Sequence, residues 1–165
     1  MKKPALWAAA VVAVVLAVTG WMALSRDQAP AVDYVLLDGR KENLAELRGK
    51  VVLVNFWATS CVTCVKEMPE LVETYRKYHE RGFDLVAVAM SYDPPAYVSN
   101  FTHSRQLPFK VAIDNTGEVA RRFGEVKLTP TTFVVDKRGQ VVKRYVGEPD
   151  FAQLHQLIER LLSEA

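Results

Sequence analysis

At 165 residues, half of them hydrophobic and 24% charged, the chain has material for one globular domain and a small appendage. Its net charge of +2 is spread evenly, which gives no footing for a nucleic-acid surface. The two cysteines of the chain, Cys61 and Cys64, sit together, which argues against a stapling framework and makes their local chemistry the main question.

Lys2 and Lys3 precede an uncharged stretch, residues 5–24, that is apolar apart from Thr19 and long enough to span a bilayer as a helix. The basic residues place residues 1–4 in the cytoplasm and the rest of the chain beyond the membrane. A cleaved secretory signal is the alternative. The run through Trp21, Met22 and Leu24, with no A-x-A pattern to close it, favours a retained anchor. Both readings put the domain outside the cytoplasm. Residues 25–31, polar and containing Pro30, read as a linker, and the folded domain is expected to occupy residues 32–165.

Within that domain, residues 34–37 read as a short strand, Asp38 and Gly39 as a turn, and residues 43–47 as a helical turn closed by Gly49. Residues 51–57 (V-V-L-V-N-F-W) form a nearly continuous apolar, β-branched run, the pattern of a strand buried on both faces. From Val62, apolar residues recur at Val65, Met68, Leu71, Val72, Tyr75 and Tyr78, a helical spacing that stops at Gly82. Residues 83–90 give the next buried strand. Residues 94–104 read as a helix with prolines at its start, and residues 109–113 as a strand. Asp114 or Asn115 can cap a helix through Phe123, ended by Gly124. Residues 131–135 and 140–146 form a hairpin around Lys137-Arg138-Gly139. The last helix starts with Asp150 as cap and Gln153 three residues on, and carries one apolar stripe from Phe151 to Leu162. Strands alternating with helices, then a hairpin and a helix, imply an α/β domain: a central mixed sheet with helices on both faces.

Cys61 and Cys64 fall at a strand-to-helix junction. The free N–H groups of a first helical turn and the helix dipole stabilise a thiolate there. The thiolate is the nucleophile of disulfide exchange, so Cys61 should attack, and Cys64, one turn deeper, should resolve the mixed disulfide. A zinc site needs more ligands, and His79, His103 and His155 are not at ligand spacing, so no metal centre is expected. A static bridge across so short a loop would restrict the unfolded chain very little.

Phe56-Trp57-Ala58-Thr59-Ser60-Cys61-Val62-Thr63-Cys64, with Pro69, resembles the active-site segment of the thioredoxin family in the TlpA/ResA-like version anchored outside the cytoplasm. Leu128-Thr129-Pro130-Thr131-Thr132-Phe133 is similar to the cis-proline loop of that family, and Asp136-Lys137-Arg138-Gly139 to its following hairpin turn. The resemblance implies a thioredoxin-like three-layer sandwich with an N-terminal hairpin and a helical insertion at residues 92–106. It also implies that Cys61 and Cys64 are the redox pair, needing no other cofactor, and that Pro130 is a cis-proline facing them, with Thr129 offering backbone hydrogen bonds to an extended substrate. Trp57 and Pro69 are supporting residues, Pro69 as the kink in its helix. Glu67 is either a partly buried acid that assists proton transfer to Cys64 or a solvated carboxylate on the helix face.

Four positions depart from the relatives. Asn55 stands where thioredoxins carry a buried aspartate, and it cannot carry a proton. Val62 replaces a frequent glutamate, Thr63 the usual proline and Ser60 the usual tryptophan. With Val62 and Thr63 between the sulfurs, no cation over-stabilises the Cys61 thiolate, so a reductant is expected.

The leading expectation is therefore an extracytoplasmic thiol:disulfide oxidoreductase. It would reduce disulfides of selected proteins, such as cytochrome c precursors or copper-site proteins. The family resemblance implies an integral-membrane thiol donor of the DsbD or CcdA kind, and a monomer is expected. The alternative is a copper-handling module using the same cysteines with His103 or Met90. A peroxidase is disfavoured because Val54, Asn55 and Phe56 stand where the proline of P-x-x-x-T-x-x-C could fall.

Overall fold

A computed structural model describes residues 28–164; the expected cytoplasmic residues 1–4, the expected membrane span and residues 25–27 of the expected linker lie outside the described residues. Two short strands, β1 (Asp33–Val35) and β2 (Lys41–Asn43), pair as an antiparallel hairpin and lead into a 3₁₀ turn at Leu44–Leu47. The main elements follow as β3 (Val51–Trp57), α1 (Val62–Tyr78), β4 (Phe83–Ala89), α2 (Pro95–Ser104), β5 (Lys110–Ile113), α3 (Glu118–Arg122), β6 (Thr131–Val135), β7 (Val141–Val146) and α4 (Phe151–Ser163). The five-stranded sheet has the order β5-β4-β3-β6-β7. Its first three strands are parallel, and β6 and β7 are antiparallel to their neighbours.

The β-branched run of β3 is central because both faces of the strand are covered. Val52, Val54 and Phe56 point to one core, where the Phe56 ring meets that of Phe123 edge-on with centroids 5.4 Å apart. Val51, Leu53 and Trp57 point to the other, shared with Cys64, Met68 and Leu71 of α1 and with Leu154, Ile158 and Leu161 of α4. This is the three-layer mixed sandwich expected from the pattern. Leu154 is fully buried at its centre. Leu154→Ala is expected to cost about 2–5 kcal/mol, seen as a lower urea midpoint at unchanged slope.

Three local expectations need correction. The domain begins earlier than Val32, because Gln28 already bridges Gln140 and the Ala29 N–H donates to Gly139 O at 2.9 Å. β1 ends at Val35: Leu36 closes the hairpin turn by donating its N–H to Arg40 O at 2.9 Å and also bridges Ala112 of β5, and the Leu37 N–H donates to Val111 O of the same strand. The helix at residues 114–123 is only Glu118–Arg122. Asp114 does support its start, but from outside the helix, accepting the Val119 and Ala120 N–H groups at 3.1 and 2.8 Å across a turn that includes Gly117.

The antiparallel register of β3 and β6 pairs Phe56 with Thr131 and Val52 with Val135. One pole of the sheet therefore carries the end of β3 and the start of β6. The opposite pole carries the turn at residues 136–140 and the entry of the chain at Gln28.

Candidate functional site

The site is built at the first of these poles, where β3 ends at Trp57 and α1 begins at Val62. Cys61 and Cys64 form a disulfide. Cys61 caps α1: its Sγ accepts the Cys64 N–H at 3.2 Å and its carbonyl accepts the Val65 N–H at 3.0 Å. Cys61 is partly exposed, whereas Cys64 is fully buried, so a partner can reach only the first sulfur directly. The helix-start N–H groups and dipole act on the Cys61 sulfur, as its sequence position requires.

The Thr129–Pro130 peptide is cis. Because Thr131 pairs with Phe56, the loop that precedes it lies beside the end of β3. Pro130 is buried, its carbonyl accepts the Gly147 N–H at 2.8 Å, and Thr129 is partly exposed with its Oγ1 3.3 Å from the Tyr92 hydroxyl. Val62, next to Cys61, Leu128, on this loop, and Tyr92, which follows β4 and touches Thr129, are exposed large side chains. Trp57 is fully buried and its ring lies 5.2 Å from that of Phe101, so it packs α2 onto the site end of β3. Pro69 sits inside α1, where the Val65 carbonyl loses its usual donor.

Glu67 is fully buried, which overturns the solvated alternative. Its Oε1 accepts a hydrogen bond from Asn55 Nδ2 at 3.0 Å, and the same amide donates to Thr132 Oγ1 at 2.9 Å. Burial is the main cause that pushes the Glu67 carboxyl up to about 7; the Asn55 bond opposes this and the Glu148 charge adds to it. Asn55 thus holds, from the neighbouring strand, an acid supplied by α1.

Asp93 escaped the sequence reading. Its buried carboxyl accepts both the backbone N–H and the hydroxyl of Thr59, each at 2.6 Å. It therefore clamps the loop that delivers Cys61 to the segment that follows β4. The available signal was an acid at the head of the 92–106 insertion, able to accept from the donors of the Thr59-Ser60 loop. Asp93→Ala should strand both Thr59 donors and lower stability by roughly 1–3 kcal/mol, measured by thermal unfolding of the oxidised form.

Among the described residues, no group of three or more His, Cys, Asp or Glu side chains could hold a metal ion, and no helix is long and apolar enough to cross a membrane. The Cys61–Cys64 pair supplies two sulfurs that can cycle between dithiol and disulfide.

A mixed sheet of this order, with a cysteine pair capping the helix that follows its central strand, defines a thioredoxin-like domain whose chemistry is thiol–disulfide exchange. The chain belongs to the Redoxin family, which it matches over residues 24–158. It is 38% identical over 134 residues to the thiol-disulfide oxidoreductase ResA of Bacillus thuringiensis subsp. konkukian, covering 81% of this chain and 76% of that one. A second ResA, from Geobacillus thermodenitrificans, is 37% identical over 133 residues, 79% of this chain and 75% of the relative. Among solved structures, a putative thioredoxin from Neisseria meningitidis superposes with a TM-score of 0.78 at 38% identity, over 86% of this chain and 93% of that one. A putative thiol:disulfide interchange protein DsbE from Chlorobium tepidum gives 0.75 at 32% identity, over 84% and 97%. With the Cys61–Cys64 pair in place, these relationships make the chain a thiol–disulfide oxidoreductase and give the copper-handling alternative no support.

Proposed function

We propose that this oxidoreductase works as a reductant on the outer face of the cytoplasmic membrane, held there by residues 5–24 as a single-pass anchor. Its substrates are disulfides of selected proteins, of the cytochrome c maturation or copper-site assembly type. The observation that carries the reading is the pairing of a partly exposed Cys61 at a helix start with a buried Cys64, and only Val62 and Thr63 between them. No cation stands in that loop to over-stabilise the Cys61 thiolate, so the dithiol keeps its tendency to give up electrons.

In the reducing cycle the Cys61 thiolate attacks one substrate sulfur, and the other leaves as a thiolate that takes up a proton. Cys64 then loses its proton and attacks Cys61 Sγ. The second substrate sulfur leaves as a thiolate and is protonated, and the Cys61–Cys64 disulfide remains; two electrons have passed to the substrate, whose two thiols take one proton from solvent and the equivalent of the one that Cys64 gave up. Glu67, one turn beyond Cys64 and equally buried, is the acceptor for the Cys64 proton. Thr129 and Pro130 line the approach of an extended substrate beside β3. Outside the cytoplasm the pair must be re-reduced, by an integral-membrane thiol donor of the DsbD or CcdA kind.

The test is the equilibrium of the domain with glutathione or thioredoxin. A potential nearer about −270 mV, the thioredoxin range, than about −120 mV, the range of a dedicated oxidant, is expected. A value at the oxidising end overturns the reductive direction.

A further inference from the structure

Resting on the anchor reading above, we infer that the Cys61 pole of the domain is turned away from the membrane, so that its partners must present their cysteines well above the bilayer surface. The chain enters the fold at the opposite pole. Gln28 bridges Gln140, the Ala29 N–H donates to Gly139 O, and the Gly49 N–H donates to Lys137 O, which ties the entry, the β6–β7 turn and the start of β3 into one end of the sheet. Cys61 follows the other end of β3, and seven strand residues span about 23 Å.

The linker cannot undo this polarity. From Leu24, the last apolar residue of the span, to Gln28 there are four steps, a reach of at most about 14 Å when fully extended. For Cys61 to face the bilayer, Gln28 would have to stand at roughly the length of β3 or more above the surface, about 23 Å, which four residues cannot bridge. The entry pole is also the one that suits lipid headgroups: the Arg48 side chain lies across Gly139 at its would-be Cβ, 3.3 Å from Nε, and Arg138 beside it is exposed. Partners of this site are therefore proteins free in the compartment, or membrane proteins whose thiol pair is carried on a part that stands out of the bilayer. The exposed Val62, Leu128 and Tyr92 are presented on that outward face.

The orientation is measurable on the full chain in phosphatidylethanolamine and phosphatidylglycerol vesicles doped with a Ni²⁺-chelating headgroup lipid. One nitroxide is placed on Cys61 in a Cys64→Ala chain, another at Arg138→Cys in a chain whose native cysteines are serines. Paramagnetic relaxation several-fold stronger at position 138 than at position 61 is expected. Equal or stronger relaxation at position 61 overturns the inference. Lengthening the linker by about ten Gly/Ser residues frees the domain to roll and should erase most of the difference; a contrast that persists unchanged shows that the short linker does not set it and overturns the argument. Chains that do not float with the vesicles overturn the anchor reading itself, a failure distinct from a domain that is anchored but inverted.

Discussion

Cys61→Ser is expected to abolish reduction of protein disulfides, by on the order of a thousandfold or more, while the fold survives. Serine keeps the cap of α1, since its hydroxyl can accept the Cys64 N–H that Cys61 Sγ now accepts. What it removes is the one sulfur of the pair that a partner can touch, because Cys64 is fully buried. Cys64→Ala should behave differently: the attack by Cys61 proceeds, no resolving thiol follows, and the substrate stays bound through a mixed disulfide. Non-reducing gels of cells carrying Cys64→Ala should show adducts that vanish on reduction and are absent when Cys61 is also replaced. An empty trap would count against the exchange reaction itself, and adducts held by a Cys61→Ala chain through Cys64, but not by Cys64→Ala, would reverse the assignment of attacking and resolving sulfur.

That assignment was legible in the sequence because it depends on local order alone: an apolar β-branched run, then C-x-x-C, then a helical period. The bounds of β3 and β6 follow from the same kind of run, and the start of α4 from Asp150, whose carboxyl accepts the Gln153 N–H at 3.0 Å. Strand β2 was not legible from pattern. Lys41–Asn43 has no apolar alternation, and it is a strand because β1 pairs with it and because Glu42 accepts hydrogen bonds from the Tyr34 hydroxyl and from Lys110. The early start at Gln28 was hidden for a similar reason, since its partner lies at Gln140, more than a hundred residues away.

The same distinction divides the site. Asn55 could be recognised as a departure at its own position. That Glu67 lies against it could not, because the contact combines the face of one strand with the phase of a helix twelve residues later. The clamp from Asp93 to Thr59 spans thirty-four residues and depends on how the segment after β4 folds back over the site. Side chains that act within one turn of the cysteines were readable from local order, and Thr129 and Pro130 from the family resemblance; the partners that Asn55 and Asp93 find through tertiary packing were not.

Glu67→Gln separates the structural from the chemical part of the buried acid. In the unfolded chain the carboxyl ionises near 4.5, whereas in the folded protein burial holds the proton to about 7. Between these values the folded state keeps a proton that the unfolded state has lost, so stability falls as pH rises. The contribution is complete below about 4.5 and fully lost once pH has passed about 7, a difference of roughly 3 kcal/mol. Glutamine has the same shape, can accept the Asn55 amide bond and never ionises. The variant should match the parent near pH 4 and exceed it by roughly 2–3 kcal/mol near pH 8, read from urea unfolding at each pH. Parallel profiles would mean that no buried proton is held there. The chemical consequence runs the other way. Without a carboxylate to take the Cys64 proton, resolution of the mixed disulfide should slow about a hundredfold at pH 7, while the attack by Cys61 is unchanged. Rapid-quench trapping should show the mixed disulfide accumulate and then decay slowly. A more stable variant that turns over at the rate of the parent would leave Glu67 as a buried acid with no part in proton transfer.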